Sequence, residues 1–156
     1  MPLSPPVNAG GLTIGGVAMS CPAWVVHNLQ ELWLPAVQRG NDRIRPGVAG
    51  VKPAIMRDTV TRRTLQLLIV GDCDRTGTPV TNLLQGLQAN IDYLIANVVA
   101  PTGLTDGTRS AVLTMPDATT RTEPVHVTGM DFGQIRADGA WVKATIDLSI
   151  PTGRII

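Results

Sequence analysis

Rings, lysines and net charge are all scarce in this chain. Its 156 residues contain three tryptophans, one tyrosine and one phenylalanine. A single-strand nucleic-acid binder needs a track of stacking platforms, which five scattered rings do not supply. Charged residues make up 16% and the formal net charge is +1, so no global field gathers DNA or anionic lipid. Lys52 and Lys143 are the only lysines, which leaves arginine as nearly all of the 13 cations. Arginine suits planar, bidentate ion pairs at interfaces, although codon bias accounts for the same excess equally well. The two cysteines, Cys21 and Cys73, form no CxxC or metal-spaced cluster and are expected to be free, partly buried thiols in a reducing compartment, with a single bridge between them as the alternative. No run of 18 or more apolar residues is present to span a membrane. The opening MPLSPPVNAGGLTIGG lacks the charged and unbroken apolar regions of a signal peptide.

Catalytic groups are equally sparse. His27 and His126 have no HxxxH partner and no cysteines around them, so each is expected to be an ordinary strand residue. Asp72 and Asp74 flank Cys73, but no further oxygen ligands follow at calcium-loop spacing, which marks them as turn caps. Cys21 lies beside Pro22 with no local base. There is no GxSxG, no Walker-type loop and no strand–GxGxxG–helix context. The sequence therefore predicts no enzyme, no cofactor and no metal.

What is present is a globular pattern, with 44% apolar residues. Residues 1–11 hold three prolines and two glycines and are expected to form a flexible arm; 12–156 form a single domain. Leu12 to Met19 alternates around Gly15-Gly16 and reads as a short strand or a hairpin, and Ala23 to His27 as a strand. RDTVTRRTLQLLIVG (57–71) is β-prone with apolar residues on both faces, which predicts a central strand covered on both sides. A helix at about 80–99 is predicted from one stripe, Leu83, Leu84, Leu87, Ile91, Leu94, Ile95 and Val98, with Thr78 as cap and Asn90 among the polar residues opposite. SAVLTM (110–115) is a strand, 116–124 a loop, and 125–135 a strand with Gly129 and Gly133 as bulge points. Ala137-Asp138-Gly139 turns the chain into AWVKATIDLSI, where Ala140, Val142, Ala144, Ile146, Leu148 and Ile150 share one face. The fold class is α+β, mainly β: an antiparallel β-sandwich or split barrel with one packed helix.

RGNDRIRPGVAGVKP (39–53) is the segment most suggestive of contact. Arg39, Arg43 and Arg45 could meet phosphates, but Asp42 lies among them and no ring is interleaved in 39–50. An arm whose arginines pair with carboxylates is the better reading. In order, the Leu12–Met19 segment, the Trp24 strand, RGNDRIRPGVAG, RRTLQLLIVG, TNLLQGLQANIDYLIANV and VKATIDLSIPTG resemble the ring-forming domain of the distal tail proteins of long-tailed bacteriophages, over about residues 12–151. The resemblance implies a structural subunit of the virion, assembled in the host cytoplasm as a hexameric ring. Its partners would be tail-tube, tape-measure and tail-tip or baseplate proteins, with no membrane and no specific nucleic acid. Many family members carry a second, C-terminal domain, so the resemblance implies a one-domain version. Arg39, Arg43, Arg45 and Pro46 are then expected at subunit interfaces. A tail-tube or tail-terminator subunit is an alternative within the same fold, and a small nucleic-acid- or ligand-binding β-barrel is an alternative of another class.

Overall fold

The alternation that closes the sequence is realised in full. From Ala140 to Ile150 every second residue is buried, and Trp141–Ser149 forms strand β9. The protein is described by a computed structural model covering residues 11–34, 43–44, 51–52, 62–101, 107–136, 138 and 140–155. The other strands are β1 (Leu12–Ile14), β2 (Val17–Ala18), β3 (Trp24–Val26), β4 (Arg43–Ile44), β5 (Val51–Lys52), β6 (Arg62–Val70), β7 (Thr108–Thr114) and β8 (Thr120–Phe132). Among the described residues, seven of the strands form one antiparallel sheet in the order β2-β1-β7-β8-β9-β6-β3, and β4 pairs with β5 apart from it. This is the mainly β, α+β class expected, built as one curled sheet. The β1–β2 hairpin turns through Gly15 and Gly16, both at positive φ (58° and 83°), the geometry that a tight two-residue connection demands.

The curl follows from connectivity. A flat sheet of seven strands would hold its edge strands about 29 Å apart. Yet β2 and β3 are those edges, and the chain from Ala18 to Trp24 reaches at most about 21 Å even when fully extended. The gap is closed further by the Trp24 indole, whose Nε1 donates to the Ala18 carbonyl at 3.1 Å. Inside the curve lie Leu12, Ile14, Leu65, Leu67, Val142 and Ile146, all essentially inaccessible to solvent.

A helix fills the concave side. Asn82 caps it, its side chain accepting from the Gln85 amide, and α1 (Leu83–Leu94) runs on into a π-helical turn at Ile95–Val99. The expected cap, Thr78, instead donates its backbone N–H to Asp74. Of the seven residues in the predicted stripe, Leu87, Ile91, Leu94 and Val98 are buried, while Leu83, Leu84 and Ile95 are exposed. The helix is rotated relative to that stripe because Gly86 and Asn90 face the sheet. The buried Asn90 amide donates to the carbonyls of Val70 (2.8 Å) and Cys73 (3.0 Å), satisfying backbone groups where β6 leaves the sheet. Four buried side chains contribute roughly 6–12 kcal/mol of gross transfer energy, before conformational entropy. At the helix end, buried Arg109 on β7 donates Nη2 to the Val99 carbonyl at 2.8 Å, a cation at the negative end of the dipole. Burial lowers the pKa of that guanidinium.

Three further expectations are corrected. The second face of β6 is not covered: Arg62, Thr64 and Gln66 are exposed, and Leu68 and Val70 only half-buried, because the helix lies on the other side. Its predicted residues 57–61 lie outside the described set. The segment 116–124 is only partly loop, since β8 already begins at Thr120 and includes Pro124. That proline is tolerated because residues 120–125 have run past the last β9 pair and ladder only with β7. The register shift in β8 lies between Val127 and Gly129, as the Gly129 bulge requires, whereas Gly133 follows the strand and bonds to the Lys143 carbonyl. The hairpin before β9 is closed by a bridge between Arg136 and Trp141; residues 137 and 139 lie outside the described set.

Two turns depend on aspartate. Asp74 Oδ1 accepts from Thr76 N, Thr76 Oγ1 and Thr78 N, and Asp117 Oδ1 accepts from Thr119 N and Oγ1. These bonds, first of all those from the threonine hydroxyls, hold both carboxyls below their ordinary pKa. A depressed folded pKa means that the contribution is complete above the unfolded value, about 3.9, and is lost as pH falls through the lower folded value. Asp74→Asn and Asp117→Asn should therefore be less stable than wild type at neutral pH, with the gap closing below about pH 3.9. Urea melts across the acid range test this; a gap independent of pH would refute it.

Candidate interaction surface

The loop singled out in the sequence is described only at Arg43, Ile44, Val51 and Lys52, where Arg43 pairs with Lys52 and Ile44 with Val51 in the small β4–β5 ladder. Arg39, Arg45 and Pro46 lie outside the described residues, as does the side chain of Arg43.

The groups considered for chemistry sit apart. His27 follows β3, exposed, with its N–H on the Gln66 carbonyl. His126 is a ladder residue of β8 opposite Thr108, whose Oγ1 lies 3.3 Å from its Nε2. Cys73 is buried with Sγ 3.2 Å from the Pro22 carbonyl, Cys21 is half-buried, and both thiols are free. Burial pushes both thiol pKa values up, which disfavours the thiolate needed for nucleophilic attack. Asp74 is committed to its turn. Among the described residues no three His, Cys, Asp or Glu side chains converge on a metal position.

A concave surface does exist, on the outer face of the sheet. Register brings it together: Gln66 of β6 opposes Thr145 of β9, and Thr145 opposes Asp131 of β8. His27 extends the row beyond Gln66, and Lys143 stands one step along, beside Leu68. With Phe132 these residues line a cleft of about 650 Å³. Its floor is held rigidly by side chains that mimic strand pairing. Asn28 donates to the Thr64 carbonyl and accepts from Gln66 N, both at 2.8 Å, and Thr64 Oγ1 donates to Asp147 Oδ1 at 2.8 Å. On the other side of the sheet, the helix displays Leu84 (51% exposed), Leu83 (40%) and Ile95 (38%); Phe132 at the cleft is 39% exposed.

No family model matches the chain, and no curated protein matches it. Among solved structures one matches over nearly its whole length. The chain folds like SPP1 Dit. That protein is described as a paradigm of the hub adsorption apparatus in phages infecting Gram-positive bacteria; the likeness has a TM-score of 0.58 at 14% identity. It covers 91% of this chain and 49% of the SPP1 Dit chain, so the chain spans about half the length of its structural relative. At that identity the likeness is one of fold.

The cleft was not legible as a site in the sequence. His27, Gln66, Asp131 and Lys143 come from four distant segments and converge only through strand pairing. The one available signal was Lys143, a cation on the outward face of β9.

Proposed function

We propose that the chain is a structural subunit of a bacteriophage tail, closing into a hexameric ring that joins the tail tube to the tail tip or baseplate. The observation that carries this reading is the likeness to SPP1 Dit over 91% of the chain. The molecule's own chemistry agrees with it. His126 and the Asp74 carboxylate are engaged in a ladder and a turn, and burial pushes the cysteine thiol pKa values up, while Leu84 and Ile95 on the helix and Phe132 at the cleft stand exposed. A ring needs contacts between different surfaces of successive copies, and those surfaces provide them. On this reading Arg39, Arg43, Arg45 and Pro46 lie at contacts with a neighbouring subunit or the tail tube, and the tape-measure and tip proteins meet the two faces of the ring. The role is structural rather than catalytic, and the protein resides in the virion.

Negative-stain electron microscopy of the purified protein should show closed six-fold rings. A stable monomer that binds DNA with strong salt dependence would favour the nucleic-acid-binding barrel instead.

A further inference from the structure

The helix of this protein lacks the charged outer face usual for a surface helix. From Leu83 to Val99 it carries a single charged residue, Asp92, and no cation. A helix covering one side of a domain ordinarily shows charged residues to water on its opposite face. Here Leu84 and Ile95, eleven residues apart and so on nearly the same side of the helix and three turns from each other, stand exposed along the flank that borders buried Ile91, and Asp92 lies beside them toward the outer face. The polar side chains between and beside them are already satisfied within the helix. Gln88 Nε2 donates to Asp92 Oδ1 at 2.8 Å, and Asn97 Nδ2 to the Tyr93 carbonyl at 2.9 Å. Covering this face would therefore leave few polar groups unpaired, which removes the main penalty of burial.

We propose that the outer face of the helix, Leu84, Asp92 and Ile95, docks in the outer-sheet cleft of a second copy of this chain, with Asp92 against Lys143. The proposal rests on the ring reading and assigns its contact. Three observations select this occupant. The two surfaces lie on opposite sides of the sheet, since the buried side chains of the helix share one core with the inward residues Leu65, Leu67 and Ile146, whereas Gln66, Lys143 and Thr145 alternate with these and face outward. One copy therefore offers its helix to the next while its own cleft receives another, the head-to-tail arrangement from which rings are built. Shape is complementary, a protruding leucine against a cleft of about 650 Å³ edged by Phe132. Charge is complementary too: the helix's one charge is negative, and Lys143 makes no ion pair among the described residues. Asp131, in the same cleft, restricts Asp92 to the Lys143 side.

The test uses the full chain with Asp92→Lys and Lys143→Asp, substitutions at exposed positions whose melting temperatures should match wild type. Each variant alone should associate roughly tenfold or more weakly in sedimentation velocity, since it sets like charges face to face. Mixing the two in equal amounts should restore assembly, because each altered helix then meets an altered cleft and each native helix a native one. Unchanged assembly of the single variants, or failure of the mixture to recover, overturns the contact while wild-type rings keep the ring reading intact. A monomeric wild type overturns both.

Discussion

Gly71→Ala should destabilise the protein by about 3 kcal/mol, the largest effect expected from adding one methyl group. Gly71 ends β6 where the helix begins to cross it. A Cβ there would lie 2.1 Å from the Leu83 carbonyl oxygen and 2.7 Å from the Leu87 nitrogen. Both are backbone atoms of α1, so no rotamer change relieves the clash and the helix itself must move off the sheet. Gly86 is the other half of the same contact: its Cβ would meet the Gly71 carbonyl at 2.4 Å and the Val80 side chain at 3.0 Å. In a free helix Gly→Ala is favourable by about 1 kcal/mol. Here overpacking against backbone, about 1–3 kcal/mol or more, outweighs that gain, so Gly86→Ala should also destabilise, by about 2 kcal/mol. Gly129→Ala is the control, since nothing lies within 4 Å of its Cβ position; it should change stability by no more than about 0.5 kcal/mol. Thermal melts should show Gly71→Ala lowered by roughly 6–12 °C. A Gly71→Ala variant as stable as wild type would mean that the helix does not seat on β6 through these glycines.

This contact also shows how far the fold could be read from sequence. The β9 strand was fully legible, because a period of two that places six apolar residues on one face across residues 140–150 needs no tertiary knowledge. The Gly15-Gly16 segment was legible as either a short strand or a hairpin, and positive φ at both glycines decides for the hairpin. The helix was legible in existence but not in rotation. Its stripe of seven apolar residues is wider than the sheet can cover, and sequence alone does not show that Gly86 must meet Gly71. Once that approach is set, Asn90 turns inward to the carbonyls at the end of β6, and Leu84 and Ile95 turn out. The start of β8 at Thr120, within the segment expected to be loop, has a similar cause. Proline argues against a strand paired on both sides, and only topology shows that this part of β8 has a single neighbour. The cleft lay beyond reach because its members are defined by register between strands, whereas the arginine loop drew attention through composition alone.

Trp24 is where the sheet's two edges are joined, and Trp24→Ala should cost about 4 kcal/mol. The side chain is 1% exposed, among the largest fully buried groups in the core. Its removal combines three losses. The first is the transfer energy and cavity of an indole. The second is the hydrogen bond from Nε1 to the Ala18 carbonyl, which ties edge strand β3 to edge strand β2. The third is the stack on Tyr93, centroids 5.9 Å apart at 26°, which continues outward to Arg75 with its guanidinium 4.4 Å over the tyrosine ring. Trp24→Phe separates these losses, because it keeps most of the apolar bulk and drops the hydrogen bond, worth about 1 kcal/mol. It should fall between wild type and alanine in chemical denaturation. A Trp24→Ala variant within about 1 kcal/mol of wild type would show that the edges are held together by other means. The same variant bears on assembly. The curl that Trp24 secures sets the helix on one side of the sheet and the cleft on the other, so in the ring proposed above a looser sheet should misalign the two surfaces assigned to the contact between copies. Ring formation should then weaken in Trp24→Ala even at temperatures where the subunit remains folded, and recover in part with Trp24→Phe.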